Sequence, residues 1–155
     1  MMPVVAVNKR ASYDYEILEN YEAGLVLTGY EVKAAKAGQV SLKGSHILFR
    51  SGQHGQPQAY LINAHISLYR LAGAIGDYNP TRNRRLLLNK KQLNHLYGRA
   101  STEGLTVVPL KLYTKDSLLK LAIALVRGKK KFDKRQAIKE RDWERKRRTL
   151  TKQAI

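Results

Sequence analysis

The chain has 155 residues, with 29 Lys and Arg against 12 Asp and Glu, a formal net charge of +17. A hydrophobic fraction of 43% supports one packed core and excludes a wholly disordered chain, while no apolar run approaches the roughly 18 residues of a spanning helix. With no cysteine there is no disulfide, thiolate nucleophile or cysteine zinc site, and the composition points to a cytoplasmic protein whose partner is a polyanion.

In chain order, Pro3 to Val7 is a short apolar stretch, shorter than a signal-peptide core. Tyr13 to Glu19 alternates ring or aliphatic with polar residues and predicts a strand with one wet face. Leu25-Val26-Leu27 follows Gly24, which predicts a bend or bulge. Glu31 to Ala37 is rich in helix formers and stops at Gly38. Two apolar runs, Ile47–Arg50 and Ala59–Ile62, flank a loop holding Gly52, Gly55 and Pro57, which predicts a hairpin. Ser67 to Arg85 reads as a long connection with Gly73, Gly76 and Pro80, of the kind that is functional when it interrupts a compact domain. Asn89 with Gln92 three residues on predicts a helix through Leu93, Leu96 and Tyr97 to about Gly98. Leu105–Tyr113 and Leu118–Val126 predict a second hairpin, turning around Lys115 and Asp116. The sum is a mainly β fold, a small antiparallel barrel of five or six strands with a few short helices.

Charge divides the chain at residue 126. Residues 127–155 hold 13 Lys and Arg against 4 Asp and Glu, a net of +9, and the 126 residues before them hold the other +8. Apolar residues thin to Phe132, Ile138, Trp143, Leu150 and a few others in this stretch. The expectation is a barrel domain over 1–126 and a basic tail over 127–155, disordered alone and helical once a polyanion neutralises it.

No sequence constellation points to catalysis. Walker, G-x-S-x-G and H-E-x-x-H patterns are missing, and the four histidines, at 46, 54, 65 and 95, lack metal-ligand spacing. Asp14, Glu16, Glu19, Glu22 and Glu31 fall in one stretch. They read as a solvated strand face plus helix N-terminal acids, with a Mg²⁺-dependent nuclease as the sharper alternative. Glu22, at a strand end beside Ala23-Gly24, stands apart as an acid able to order basic loops or accept from base and ribose donors.

Basic and aromatic residues carry more. Nine tyrosines supply stacking faces for unpaired bases, with Tyr13, Tyr15, Tyr21, Tyr69, Tyr78 and Tyr97 as candidates and core filling as the competing role. Asn8-Lys9-Arg10 can donate to phosphates and read a base edge, and Arg82, Arg84 and Arg85 can grip phosphates bidentately. In the tail, Gly128 lets the chain turn away, Lys129, Lys130 and Lys131 meet phosphates, Phe132 can stack, and Asp133 can orient Lys134 and Arg135.

Read together, these stretches resemble the SsrA-binding protein (SmpB) family. The resemblance rests on Asn8-Lys9-Arg10-Ala11, Tyr21-Glu22-Ala23-Gly24-Leu25, Gly29-Tyr30-Glu31-Val32-Lys33, Asn79-Pro80-Thr81-Arg82 and Arg84 to Asn89. It continues through Val108-Pro109-Leu110, Gly128-Lys129-Lys130 and Asp133-Lys134-Arg135, in order along nearly the whole chain. The resemblance implies a barrel of oligonucleotide-binding (OB) type, no enzymatic activity and no cofactor. It implies an adaptor that binds the tRNA-like domain of tmRNA and brings it to stalled ribosomes in trans-translation, with elongation factor Tu during delivery. Asn8, Glu22 and Leu87 fall on family positions tied to tmRNA binding, and the core-strand role of Leu87 remains the alternative. The resemblance implies a tail that enters the decoding centre and the vacant mRNA channel of the small subunit and folds there as a helix, with positions 128–130 and 133–135 matching those the family uses in tagging and peptidyl transfer. Phe132 stands where the family usually has Tyr or His, which keeps a ring and loses its polar group. A ribosomal protein with a basic tail shares the composition and is the first rival reading.

Overall fold

The computed structural model describes residues 3–68 and 78–128. Among these residues nine strands and three α-helices follow one another as β1 (Val4–Val7), α1 (Ala11–Asp14), β2 (Tyr15–Leu25), α2 (Gly29–Lys36), β3 (Val40–Ser41), β4 (His46–Ser51), β5 (Pro57–Ile62), β6 (His65–Ile66), β7 (Arg84–Leu87), α3 (Lys90–Glu103), β8 (Thr106–Lys115) and β9 (Leu118–Gly128).

Six strands pair antiparallel in a cycle, β8–β4–β5–β7–β2–β9 and back to β8, with β1 added to β8; β3 and β6 form a separate ribbon. The cycle is uneven. β9 pairs along nearly the full length of both β2 and β8, whereas β4 meets β8 at Ile47↔Val107 alone. Joins through the four-residue β7 are two positions wide on each side. The mainly β fold with short helices is as expected, but the sheet is a partly open barrel rather than a clean one, because β7 is too short to seal it.

Alternation explains the hydrophobic core. In β9, Leu121, Ile123 and Leu125 point inward and are fully buried, each stabilising the fold by about 1.5–3 kcal/mol. They meet Ala23, Ile47, Leu61, Leu86, Leu96, Val107 and Leu112 in one cluster. The small outward residue Ala124, with Val126 and Val108, lets α1 lie close, so Ala11 and Tyr15 cap a second cluster on the outside.

Local signals hold in several places. The β8–β9 turn places Asp116 and Ser117 at φ of 51° and 67°, the left-handed pair that a two-residue hairpin loop requires. Asn89 caps α3 by accepting from the Gln92 amide at 2.8 Å. Thr28 and Glu31 form a reciprocal capping box at the start of α2, and Gly38 follows that helix at φ 81°.

Three expectations shift. Tyr13 and Asp14 belong to α1 instead of a strand. α3 passes through Gly98 and ends at Gly104, which takes the left-handed conformation. Arg99 bridges to Glu103 at 2.6 Å and to Glu19 on β2 at 2.7 Å, offsetting the roughly 0.5–1 kcal/mol that a mid-helix glycine costs. β9 extends two residues past the boundary expected at 126, with Gly128 paired to Tyr15 and Arg127 to Glu16.

Candidate nucleic-acid interface

The outer face of β1, β8, β9 and β2 gathers basic side chains around one acid. Register sets this: Val7 lies opposite Lys111, Lys111 opposite Ala122, and Ala122 opposite Glu22. Directly opposed residues share a face, so a row crosses four strands from Val7 to Glu22. The next row runs Tyr113–Lys120–Gly24–Leu87.

Glu22 is therefore not a plain solvated acid. The Tyr113 hydroxyl donates to its Oε2, and Lys115 Nζ lies 3.5 Å from its Oε1. The phenol hydrogen bond, with help from Lys115 and Lys120, holds its carboxyl below the usual carboxylate range. Burial and the Glu22 hydrogen bond push the Tyr113 hydroxyl up to about 12. Lys111 Nζ sits 5.6 Å from the Tyr113 ring centroid, a cation–π contact. One carboxylate acceptor ringed by ammonium donors and a phenol can accept from a base or ribose while the lysines neutralise flanking phosphates.

Leu87 lies beside it. β7 alternates, with Arg84 and Leu86 buried and Arg85 and Leu87 exposed, and Leu87 stays 52% exposed. It is a strand residue, as one reading of the sequence held, but it faces outward. Gly24 opposite makes room, since a Cβ there would stand 3.3 Å from the Leu87 Cβ. The glycine expected to mark a bend in fact marks a close approach.

Asn8 closes the other end. Its backbone amide donates to Leu110 O at 2.8 Å and its side-chain amide to Pro109 O at 2.9 Å, pinning the β1–α1 corner to β8. It lines three adjoining clefts of about 420, 470 and 390 Å³, two of them with Arg10 and two with Lys43. Lys9 and Arg10 are exposed, and Arg10 Nε stays a loose 3.8 Å from Asp14.

The three arginines expected to grip phosphates divide. Arg85 is exposed. Arg84 is fully buried: its Nε donates to Glu31 Oε2 at 2.7 Å and its terminal nitrogens to the carbonyls of Ala64, Arg82 and Pro80. It cannot reach a phosphate, which corrects that expectation. Arg82 is part exposed, yet its guanidinium donates to both Glu31 oxygens, so it too serves the fold first. A charge run in sequence cannot show which arginine turns inward.

Glu31 changes role for the same reason. It is completely buried between Arg82 and Arg84. Burial pushes its carboxyl up, but the Arg82, Thr28 and Arg84 hydrogen bonds outweigh that and leave it below the ordinary range. Glu19 stands elsewhere again, taking hydrogen bonds from Tyr21, His95 and Arg99 that hold it at about 2. The acids of the nuclease alternative thus sit on three different sets of partners. Among the described residues no three His or carboxylates come together to hold a metal.

Of the candidate stacking tyrosines, Tyr21 is tied to Glu19 at 2.5 Å and Tyr78 to the Ile66 carbonyl at 2.6 Å. Tyr97 is exposed and edge-on to Phe49, and Tyr69 lies outside the described residues. Lys111, Tyr113, Lys115 and Lys120, which frame Glu22, were not singled out by sequence. Alternation in the β8–β9 hairpin was the signal that put them on one face. Gly128 ends β9, while Lys129, Lys130, Lys131, Phe132, Asp133, Lys134 and Arg135 lie outside the described residues.

Comparison with known proteins agrees along the chain. A family profile described as SmpB protein matches residues 5–153. An SsrA-binding protein of Gloeothece citriformis is 47% identical over 142 residues, covering 92% of this chain and 88% of the relative. One from Coxiella burnetii is 43% identical over 148 residues, covering 96% and 90%. A chain of the solved structure described as "tmRNA-SmpB: a journey to the center of the bacterial ribosome" superposes with a TM-score of 0.64 at 41% identity, covering 85% of this chain and 92% of that one.

Proposed function

This chain belongs to the SmpB family of SsrA-binding proteins, and we propose on that footing that it is the RNA-binding adaptor of trans-translation. It binds tmRNA and works on the ribosome. The observation that carries the reading is agreement of sequence and fold over the same residues with proteins described as binding that RNA. The outer face around Glu22 supplies the chemistry, because lysines supply non-specific phosphate affinity and the fixed acid and apolar Leu87 supply selectivity.

In finer detail, we assign tmRNA's tRNA-like domain to the face bearing Asn8, Glu22 and Leu87, with Lys9, Arg10 and Arg85 on its margins. The net charge of +9 over 127–155 supports a tail that enters the phosphate-walled mRNA channel beyond the decoding centre when no message fills it. Elongation factor Tu as a partner during delivery belongs to the same proposal, as does action without catalysis or a cofactor.

The test is competition binding near physiological salt, with the tRNA-like domain against ordinary tRNA and equal-length ribosomal RNA. A strong preference for the tRNA-like domain is expected. Equal binding to all three would leave charge alone as the cause and favour the ribosomal-protein reading.

A further inference from the structure

We propose that the outer face of β4, β5 and β7 is a stacking surface that takes an unpaired base of the bound RNA. The proposal rests on the tmRNA-binding reading and extends it to strands that hold neither Asn8 nor Glu22.

Register builds the surface. Leu48 on β4 lies opposite Tyr60 on β5, and Tyr60 lies opposite Arg85 on β7. Val26 continues the row by donating its amide to the Arg85 carbonyl at 2.9 Å. The alternate residues Ile47, Ala59, Leu61, Leu86 and Arg84 are buried, so the core is complete without this row. Leu48 and Val26 nonetheless stay 41% and 46% exposed. Single exposed aliphatics need no explanation; here two of them lie in register with a tyrosine and an arginine.

The aromatic centre is held in place. The Tyr60 hydroxyl donates to Gln58 Oε1 at 2.7 Å, and the Arg50 guanidinium carbon lies 5.4 Å from the ring centroid. Arg50 meets the ring from β4, and Arg85 stands opposite Tyr60 on β7; both arginines are exposed. β4, β5 and β7 contain no Asp or Glu, so nothing on these strands neutralises the two guanidiniums.

Chemistry then selects the occupant. A ring and guanidinium planes stack on any base face, and guanidiniums also take flanking phosphates. A duplex hides its base faces, so this surface fits an unpaired, splayed nucleotide. Arg85 and Leu87 share the outward side of β7, which makes the surface continuous with the Glu22 face.

The experiment uses the full-length protein and the tmRNA tRNA-like domain carrying 2-aminopurine at each unpaired loop position in turn. Arg50→Ala and Arg85→Ala, both surface changes, should each weaken binding by roughly five-fold or more and lower the salt slope by about 1. Arg50→Lys should restore the slope but not the full affinity, and at one loop position the fluorescence change on binding should be lost in Arg50→Ala. Wild-type affinity and slope in both alanine variants would overturn the proposal, as would full rescue by Arg50→Lys with no loop position responding. If wild-type protein shows no preference for the tRNA-like domain while the variants still lose affinity and slope, the adaptor reading fails and the stacking surface stands.

Discussion

Glu31 and Arg84, 53 residues apart in sequence, form a fully buried ion pair with Arg84 Nε 2.7 Å from Glu31 Oε2. Arg82 shares the same carboxylate, and Glu31 also closes the capping box of α2. One side chain thus ties the first turn of α2 to the segment that leads into β7. Removing it leaves a buried guanidinium without its counter-charge. Glu31→Gln should destabilise the protein by about 3–5 kcal/mol, a large share of a domain's typical stability. Urea unfolding at neutral pH measures it. Replacing Glu31 and Arg84 together by Met should cost less than the sum of the single changes, because no charge is then stranded.

Glu22 makes the opposite prediction. Its side chain is 38% exposed and that of Lys115 beside it 46%, so Glu22→Ala, which costs the buried Tyr113 only its hydroxyl's partner, should shift the unfolding midpoint little. Affinity for the tRNA-like domain should fall several-fold. Titration of the wild type and variant side by side decides it, and equal affinity would return Glu22 to the status of a solvated strand acid.

Gly24 offers a test of placement rather than chemistry. A methyl group there would press on the Leu87 Cβ at 3.3 Å, so the leucine must move by a few tenths of an ångström. Gly24→Ala should therefore reduce RNA affinity with little change in stability. Leu87→Ala should reduce affinity too, and adding Gly24→Ala to it should have little further effect. Independent, additive losses in the double variant would show that Gly24 acts by another route.

Acid should reveal Glu19. Its carboxyl is lowered from 4.5 to about 2 by the Tyr21 and His95 hydrogen bonds first, with Arg99 adding to them. A depressed folded value means that the contribution to stability is complete above about 4.5 and is lost as pH falls through about 2. Wild-type stability should drop across that window, and Glu19→Gln should drop less steeply between the same limits. Denaturant midpoints at several pH values between 6 and 2 give the comparison; parallel curves would mean that the Glu19 network contributes nothing in solution.

Tyrosine titration provides an alkaline counterpart. Tyr21 and Tyr113 are each pushed up to about 12, by burial first and then by the adjoining carboxylate. A raised folded value contributes stability that is present below the ordinary 10 and lost as pH rises through about 12. Phenolate absorbance should show Tyr21 and Tyr113 ionising late, together with Tyr78, which burial also pushes up. Glu22→Gln should bring Tyr113 only part of the way back, because its burial remains.

How much could be read from residues alone follows from the range of each interaction. Both long hairpins were legible, because period-two alternation and the loop residues between the strands act within a few neighbours. The caps at Asn89 and Gly38 were legible for the same reason. Net charge and the basic stretch 127–155 needed no folding to be seen, and the ordered motifs from Asn8 to Arg135 were enough to suggest the family.

Which way each charged side chain faces was settled by pairing between distant strands. Arg84 and Arg85 are adjacent and chemically identical, yet the pleat of β7 buries one against Glu31 and leaves the other beside Tyr60. Glu19, Glu22 and Glu31 lie within 13 residues and end on three unrelated sets of partners. Gly24 meets Leu87 only because β2 and β7 pair in that register. Local propensity carries no information about such contacts, since each is decided by the depth, opposing strand and neighbouring charge that the paired sheet supplies.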